Sequence, residues 1–60
     1  MAWVATDQDG KEWIYGWIPV RIDTEWYSSV GNYMIKLPKG SIRKLIGRDL
    51  TWDDEPVELI

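Results

Sequence analysis

Ala2-Trp3-Val4-Ala5-Thr6-Asp7-Gln8-Asp9-Gly10-Lys11-Glu12-Trp13-Ile14-Tyr15-Gly16-Trp17-Ile18 opens the chain with two runs of strand formers around a cluster of turn formers. Trp3, Val4 and Ala5 suit a short strand, and Asp7 to Gly10 ends in a glycine that tolerates positive φ, so the segment reads as a β-hairpin. The returning run alternates, with Trp13, Tyr15 and Trp17 on one face and Ile14 and Ile18 on the other. Gly16 within it is a candidate bulge. The same Asp7 to Gly10 segment lacks the further ligands and the spacing of a calcium loop, and a turn is the reading we adopt.

Working outward, Pro19 lacks an N–H for a ladder, which makes Pro19 to Ile22 an edge strand or a connection, and Asp23-Thr24 is a turn. Glu25 to Ser28 and Tyr33 to Leu37 are expected to pair across Ser29-Val30-Gly31-Asn32. Leu37-Pro38-Lys39-Gly40 stops that strand. Ser41 is a candidate N-cap, Ile42, Leu45 and Ile46 fall on one helical face, and Gly47 occupies the C-terminal left-handed position. The last segment alternates at Leu50 and Trp52, passes the acidic Asp53-Asp54-Glu55 and, after Pro56, alternates again through Val57 and Leu59, which suggests a final strand. The expected fold is one domain over residues 1–60, mainly β. It is a small twisted antiparallel sheet or open barrel of four to five strands, with one short helix packed by Ile42, Leu45 and Ile46.

Sixty residues leave little room for a core, and burial barely offsets ordering entropy in a chain this short. With no Cys there is no disulfide, and with no His as well the ordinary zinc sites and the usual proton shuttle and thiol nucleophile are missing. We therefore expect no enzyme, no metal and no cofactor. Ser41 and Lys44 have an S-x-x-K spacing without any companion motif, and capping explains Ser41 better. The longest uncharged run, between Glu25 and Lys36, holds ten residues, too few for a membrane helix. Self-association is the remaining source of stability, with a dimer the default.

Five Trp and three Tyr without a Phe give every ring a polar handle. Trp3, Trp26 and Trp52 suit a core. Trp13, Tyr15 and Trp17 lie on a strand apolar on both faces, which a helix of about two turns covers only in part. These three, with Trp26 or Tyr27 from the neighbouring segment, are the expected partner-binding residues. Charge is segregated: Lys36, Lys39, Arg43, Lys44 and Arg48 contain no acid among them, and Asp49, Asp53, Asp54, Glu55 and Glu58 follow. The bases are candidate phosphate contacts to a nucleotide or nucleic acid, and the acidic terminus is a candidate mimic of nucleic acid toward a basic partner; the alternative to both is that the two blocks pair with each other, within a chain or between chains. The net charge of -3 argues against strong polyanion binding.

Trp3-Val4-Ala5-Thr6-Asp7-Gln8-Asp9-Gly10 near the start and Leu50-Thr51-Trp52-Asp53-Asp54-Glu55-Pro56-Val57-Glu58-Leu59 at the end, with Trp26 and Tyr33 to Leu37 between them, resemble a group of short uncharacterised proteins encoded by phages and prophages of gut bacteria. The resemblance implies context rather than activity. It points to a phage accessory protein in the bacterial cytoplasm that binds and blocks a host factor, defence systems included. Three functions are expected to compete: a protein binder using its aromatic face, a nucleotide or nucleic-acid binder using the basic segment, and a structural or assembly subunit.

Overall fold

A computed structural model describes residues 2–28, 30–31 and 33–59. The chain is mainly β, as the alternation predicts, with six short strands in two antiparallel sheets and one helix among the described residues. Strand β1 (Ala2–Thr6) turns through Asp7 to Gly10 into β2 (Glu12–Tyr15), then β3 (Pro19–Ile22), β4 (Glu25–Ser28) and β5 (Met34–Leu37) follow, with helix α1 (Ser41–Ile46) and β6 (Val57–Leu59) last. One sheet has the order β5-β2-β1-β6 and the other pairs β3 with β4. The architecture is open, not a closed barrel, and it has more strands than the four to five expected.

The opening hairpin forms, but its returning strand, expected from Lys11 to Ile18, ends at Tyr15, so Trp17 and Ile18 lie beyond it. Trp3 lies opposite Tyr15, Val4 opposite Ile14 and Ala5 opposite Trp13. Asp7 N–H donates to the Lys11 carbonyl (2.9 Å), Gly10 N–H donates to the Asp7 carbonyl (2.9 Å), and Gly10 sits at φ 89°. Gly16 extends the ladder, donating to the Tyr33 carbonyl (2.8 Å). Any Cβ there would stand 3.2 Å from the Tyr33 Cβ, so close strand approach accounts for this glycine.

The expected pairing of Glu25 to Ser28 with Tyr33 to Leu37 is corrected. β4 pairs with β3, Arg21 opposite Trp26, while β5 pairs with β2, Ile14 opposite Ile35. The two-residue turn Asp23-Thr24, with Asp23 at φ 53°, closes the β3–β4 hairpin at a shorter loop than Ser29 to Asn32 offers. Of that longer segment, Ser29 and Asn32 lie outside the described residues. Pro19 is accommodated because β3 is an edge strand.

The four-stranded sheet is covered on both faces. On one, Val4, Ile42 and Leu50 are buried, with Ile14, Leu37, Ile46, Val57 and Leu59 around them. On the other, Ala5, Tyr15 and Trp26 are buried, edged by Trp3, Trp13, Met34 and Trp52. The helix thus covers one face and the β3–β4 hairpin covers the other through Trp26. Two helical details depart from expectation. Leu45 is 51% exposed, because a helix of six residues meets the sheet along Ile42 and Ile46 only. Gly40, not Ser41, holds the N-cap position, and the Ser41 hydroxyl instead donates to the Pro38 carbonyl (2.6 Å). Capping comes from Glu12 on β2, which accepts from Gly40 N–H (2.8 Å) and Ile42 N–H (2.9 Å). Gly47 ends the helix at φ 82° as expected, its N–H donating to the Arg43 carbonyl (2.8 Å). The C-terminal strand is also present, but only from Val57 to Leu59. The segment before it is irregular and carries Leu50 and Trp52 into the two core clusters.

Candidate interaction surface

The five aromatic residues assigned to recognition divide between inside and outside. Tyr15 is 1% exposed and Trp26 is 4% exposed, so neither ring is available to a partner in this state. Their polar atoms are used internally. The Tyr15 hydroxyl donates to the Trp26 carbonyl (3.2 Å), and the Trp26 indole N–H donates to the Thr6 carbonyl (3.0 Å). Burial, with the Asp7 and Glu25 charges adding to it, holds the Tyr15 phenol far above its usual pKa, so it stays a neutral donor. Trp13 is half-buried and its indole N–H donates to Asp7 Oδ2 (2.9 Å). Trp17 and Tyr27 remain on the outside, at 58% and 45% exposure.

Strand pairing explains this division. Pairing of Arg21 with Trp26 places both on the inner face of the β3–β4 hairpin, and pairing of Val20 with Tyr27 places those two on the outer face with Ile22. No layer of the described chain covers that outer face, and Val20 and Ile22 are 44% and 48% exposed. Glu25 lies on the same face and hydrogen-bonds the Tyr27 phenol, which together with its charge raises the phenol above its usual pKa. The apolar patch therefore has one acidic border. Two other apolar depressions are open. A groove of about 360 Å³ is lined by Ala2, Ile14, Gly16, Tyr33 and Ile35 at the end of the sheet that the helix does not reach. A cleft of about 180 Å³ lies between Trp3, Trp17, Ile18 and Glu58.

The basic residues do not converge on one pocket. Lys36 is on β5, Lys39 is in the loop after it, Arg43 and Lys44 are on the exposed side of α1, and Arg48 follows the helix. Arg43 pairs with Asp49 at 3.7 Å, joining the basic block to the acidic one. Lys36 and Lys39 share a groove of about 290 Å³ with Lys11, and Asp9 and Glu12 line it too. Among the described residues no group of three or more acidic side chains is arranged to hold a metal ion, and no helix is long and apolar enough to cross a membrane.

Three residues carry more of the architecture than the sequence signals. Asp7 reads as a turn former, yet it is 4% exposed, and its second oxygen, Oδ1, accepts the Trp26 N–H (2.9 Å), fastening the hairpin layer to the sheet. Its carboxyl is raised above its ordinary value, chiefly by burial, against the lowering effect of the Trp26 and Trp13 donors. Glu12 falls in the returning strand with no role assigned from sequence, and it caps the helix. Arg21 has no role assigned from sequence, and its guanidinium stacks 4.5 Å from the Trp26 ring centre and 4.6 Å from that of Trp52. It also donates to the Trp52 carbonyl (2.6 Å). A strand-alternation argument would place Arg21 on the Trp26 face, given the correct β3–β4 pairing. Nothing local marks Asp7 or Glu12.

The fold and surface define a small open two-sheet β protein with uncovered apolar patches. No protein-family model, curated protein or solved structure matches this chain.

Proposed function

We propose that this chain is a small non-enzymatic binding protein that occupies a surface of another protein through the outer face of its β3–β4 hairpin. One observation carries the reading: the hairpin spends its inner face on the core and leaves Val20, Ile22 and Tyr27 together outside, each close to half exposed. Exposed apolar residues grouped on one face are the chemistry of a protein interface, and Tyr is a frequent hot-spot residue. Exposed Trp17 and Ile18, just before β3, extend the available ring and aliphatic surface. The absence of His and Cys from the sequence favours binding over catalysis. The resemblance to short phage and prophage proteins supports a bacterial host factor as the target and blocking as the mode of action.

The test is affinity capture from a bacterial host lysate with the parent chain and with Tyr27→Ala. A specific host protein retained by the parent and weakened by about 2 kcal/mol in the folded variant supports the reading. Retention unchanged by Tyr27→Ala and Trp17→Ala removes it. The alternative reading, phosphate recognition, draws support from the groove holding Lys11, Lys36 and Lys39. Salt-sensitive binding of a nucleotide or oligonucleotide, lost in Lys36→Ala and Lys39→Ala, would favour it.

A further inference from the structure

The four-stranded sheet ends in two strands that, among the described residues, have no second strand partner: β5 at one edge and β6 at the other. We propose that these edges are complementary and that a second copy of this chain docks β6 against β5, head to tail, continuing the sheet.

Backbone direction allows it. All three pairings in the sheet are antiparallel, so β5 and β1 run one way and β2 and β6 the other. A neighbour placed by translation along the sheet therefore sets its β6 antiparallel to β5. Hydrogen-bond alternation also agrees. Gly16 N–H bonds the Tyr33 carbonyl, so in the β2–β5 ladder Ile35 and Leu37 bond inward, and the N–H and C=O of Lys36 face out. Asp7 N–H bonds the Lys11 carbonyl, and the same alternation carried across β1 turns Val57 and Leu59 inward and leaves the Glu58 backbone facing out. Glu58 and Lys36 can then exchange both backbone bonds. In that register Val57 meets Leu37 and Leu59 meets Ile35.

Side chains complete the match. The cross-strand partners Trp13 for Lys36 and Trp3 for Glu58 put both charges on the hairpin-covered face. Opposite charges then stand directly across the new ladder. The cleft between Trp3, Trp17, Ile18 and Glu58 supplies aromatic walls and a carboxylate beside that position, a suitable seat for a lysine stem and ammonium. On the other face, Leu59 covers part of Ile35, which is 69% exposed in the single chain. Joining like edges is disfavoured, because Glu58 would meet Glu58, or Lys36 and Lys39 of two copies would gather. Pro38 and Pro56 fall opposite each other in the proposed register and end the ladder, which keeps the contact short and the association reversible.

Sedimentation at low ionic strength, with amide hydrogen exchange across a concentration series, tests the proposal. The parent should form a concentration-dependent series above the 7.1 kDa monomer, weakened by salt, with the Lys36 and Glu58 amides gaining protection as it forms. Glu58→Lys alone and Lys36→Glu alone should each weaken association about tenfold or more. An equimolar mixture of the two variants should restore it, as should both changes in one chain. Circular dichroism of each variant verifies the fold, and the outer face of the β3–β4 hairpin is unaltered in all of them. A parent that stays monomeric, or a closed dimer indifferent to Lys36→Glu, overturns the proposal.

Discussion

Asp7 accepts two donors on one carboxylate, the part-buried Trp13 indole N–H and the buried Trp26 backbone N–H, so replacing it leaves both without their acceptor. Asp7→Ala should destabilise the fold by about 2 kcal/mol or more in urea titration, since each buried donor left unpaired costs about 1 to 3 kcal/mol. Its pH dependence has a definite sign. The native carboxyl binds its proton more tightly than the unfolded one, so its contribution to stability is greatest below the unfolded pKa and declines as pH rises through the native value. The stability difference between parent and Asp7→Asn should therefore move in favour of the parent as pH falls from about 7 to about 4, and carboxyl NMR should place the Asp7 midpoint above 3.8. Thr6 makes a contrasting case, because its Oγ1 is buried without a hydrogen-bond partner among the described residues. Thr6→Val should be neutral or stabilising by up to about 1 kcal/mol in the same titration. The aromatic residues separate in the same way: Trp26→Ala should cost about 3 to 5 kcal/mol as a core truncation, while Tyr27→Ala should cost under about 1 kcal/mol.

The helix depends on a residue from another strand. A six-residue helix does not form alone, and Glu12 supplies the acceptors that its first N–H groups need. Glu12→Ala should cost about 1 to 2 kcal/mol and speed exchange at the Gly40 and Ile42 amides, leaving the β1–β2 ladder in place. This dependence also shows where sequence reading succeeds. The β1–β2 hairpin, the Asp23-Thr24 turn, the Gly47 stop and the Val57 to Leu59 strand were legible because each is written in adjacent residues as alternation or a turn-forming pair. The pairing of β4 was not, because Glu25 to Ser28 has strand character toward either neighbour, and loop length decided between them. Leu45 carries the right spacing for a packed helix face but lies beyond the sheet's reach, a fact of position rather than of pattern.

At the scale of the whole molecule, the chain divides its large side chains between two thin core layers, one on each face of the main sheet, and an exposed set that includes Trp17, Tyr27, Tyr33 and Ile35. The sequence showed an excess of rings over what a small core requires, but not which rings face out. Tyr15 and Trp26 went inside because the β3–β4 hairpin folds over the Trp13 and Tyr15 face, and that layer was not anticipated. The surface that remains exposes Val20, Ile22 and Tyr27 together, and the proposed binding rests on these three, with the bases in a modulating role. Lys39→Ala and Lys44→Ala should change mainly the salt-sensitive association rate for a partner, as read by stopped flow. The most direct test is calorimetric titration of the captured host protein with the parent and with folded Tyr27→Ala. The account predicts about 2 kcal/mol weaker binding for the variant, and equal affinity would contradict it.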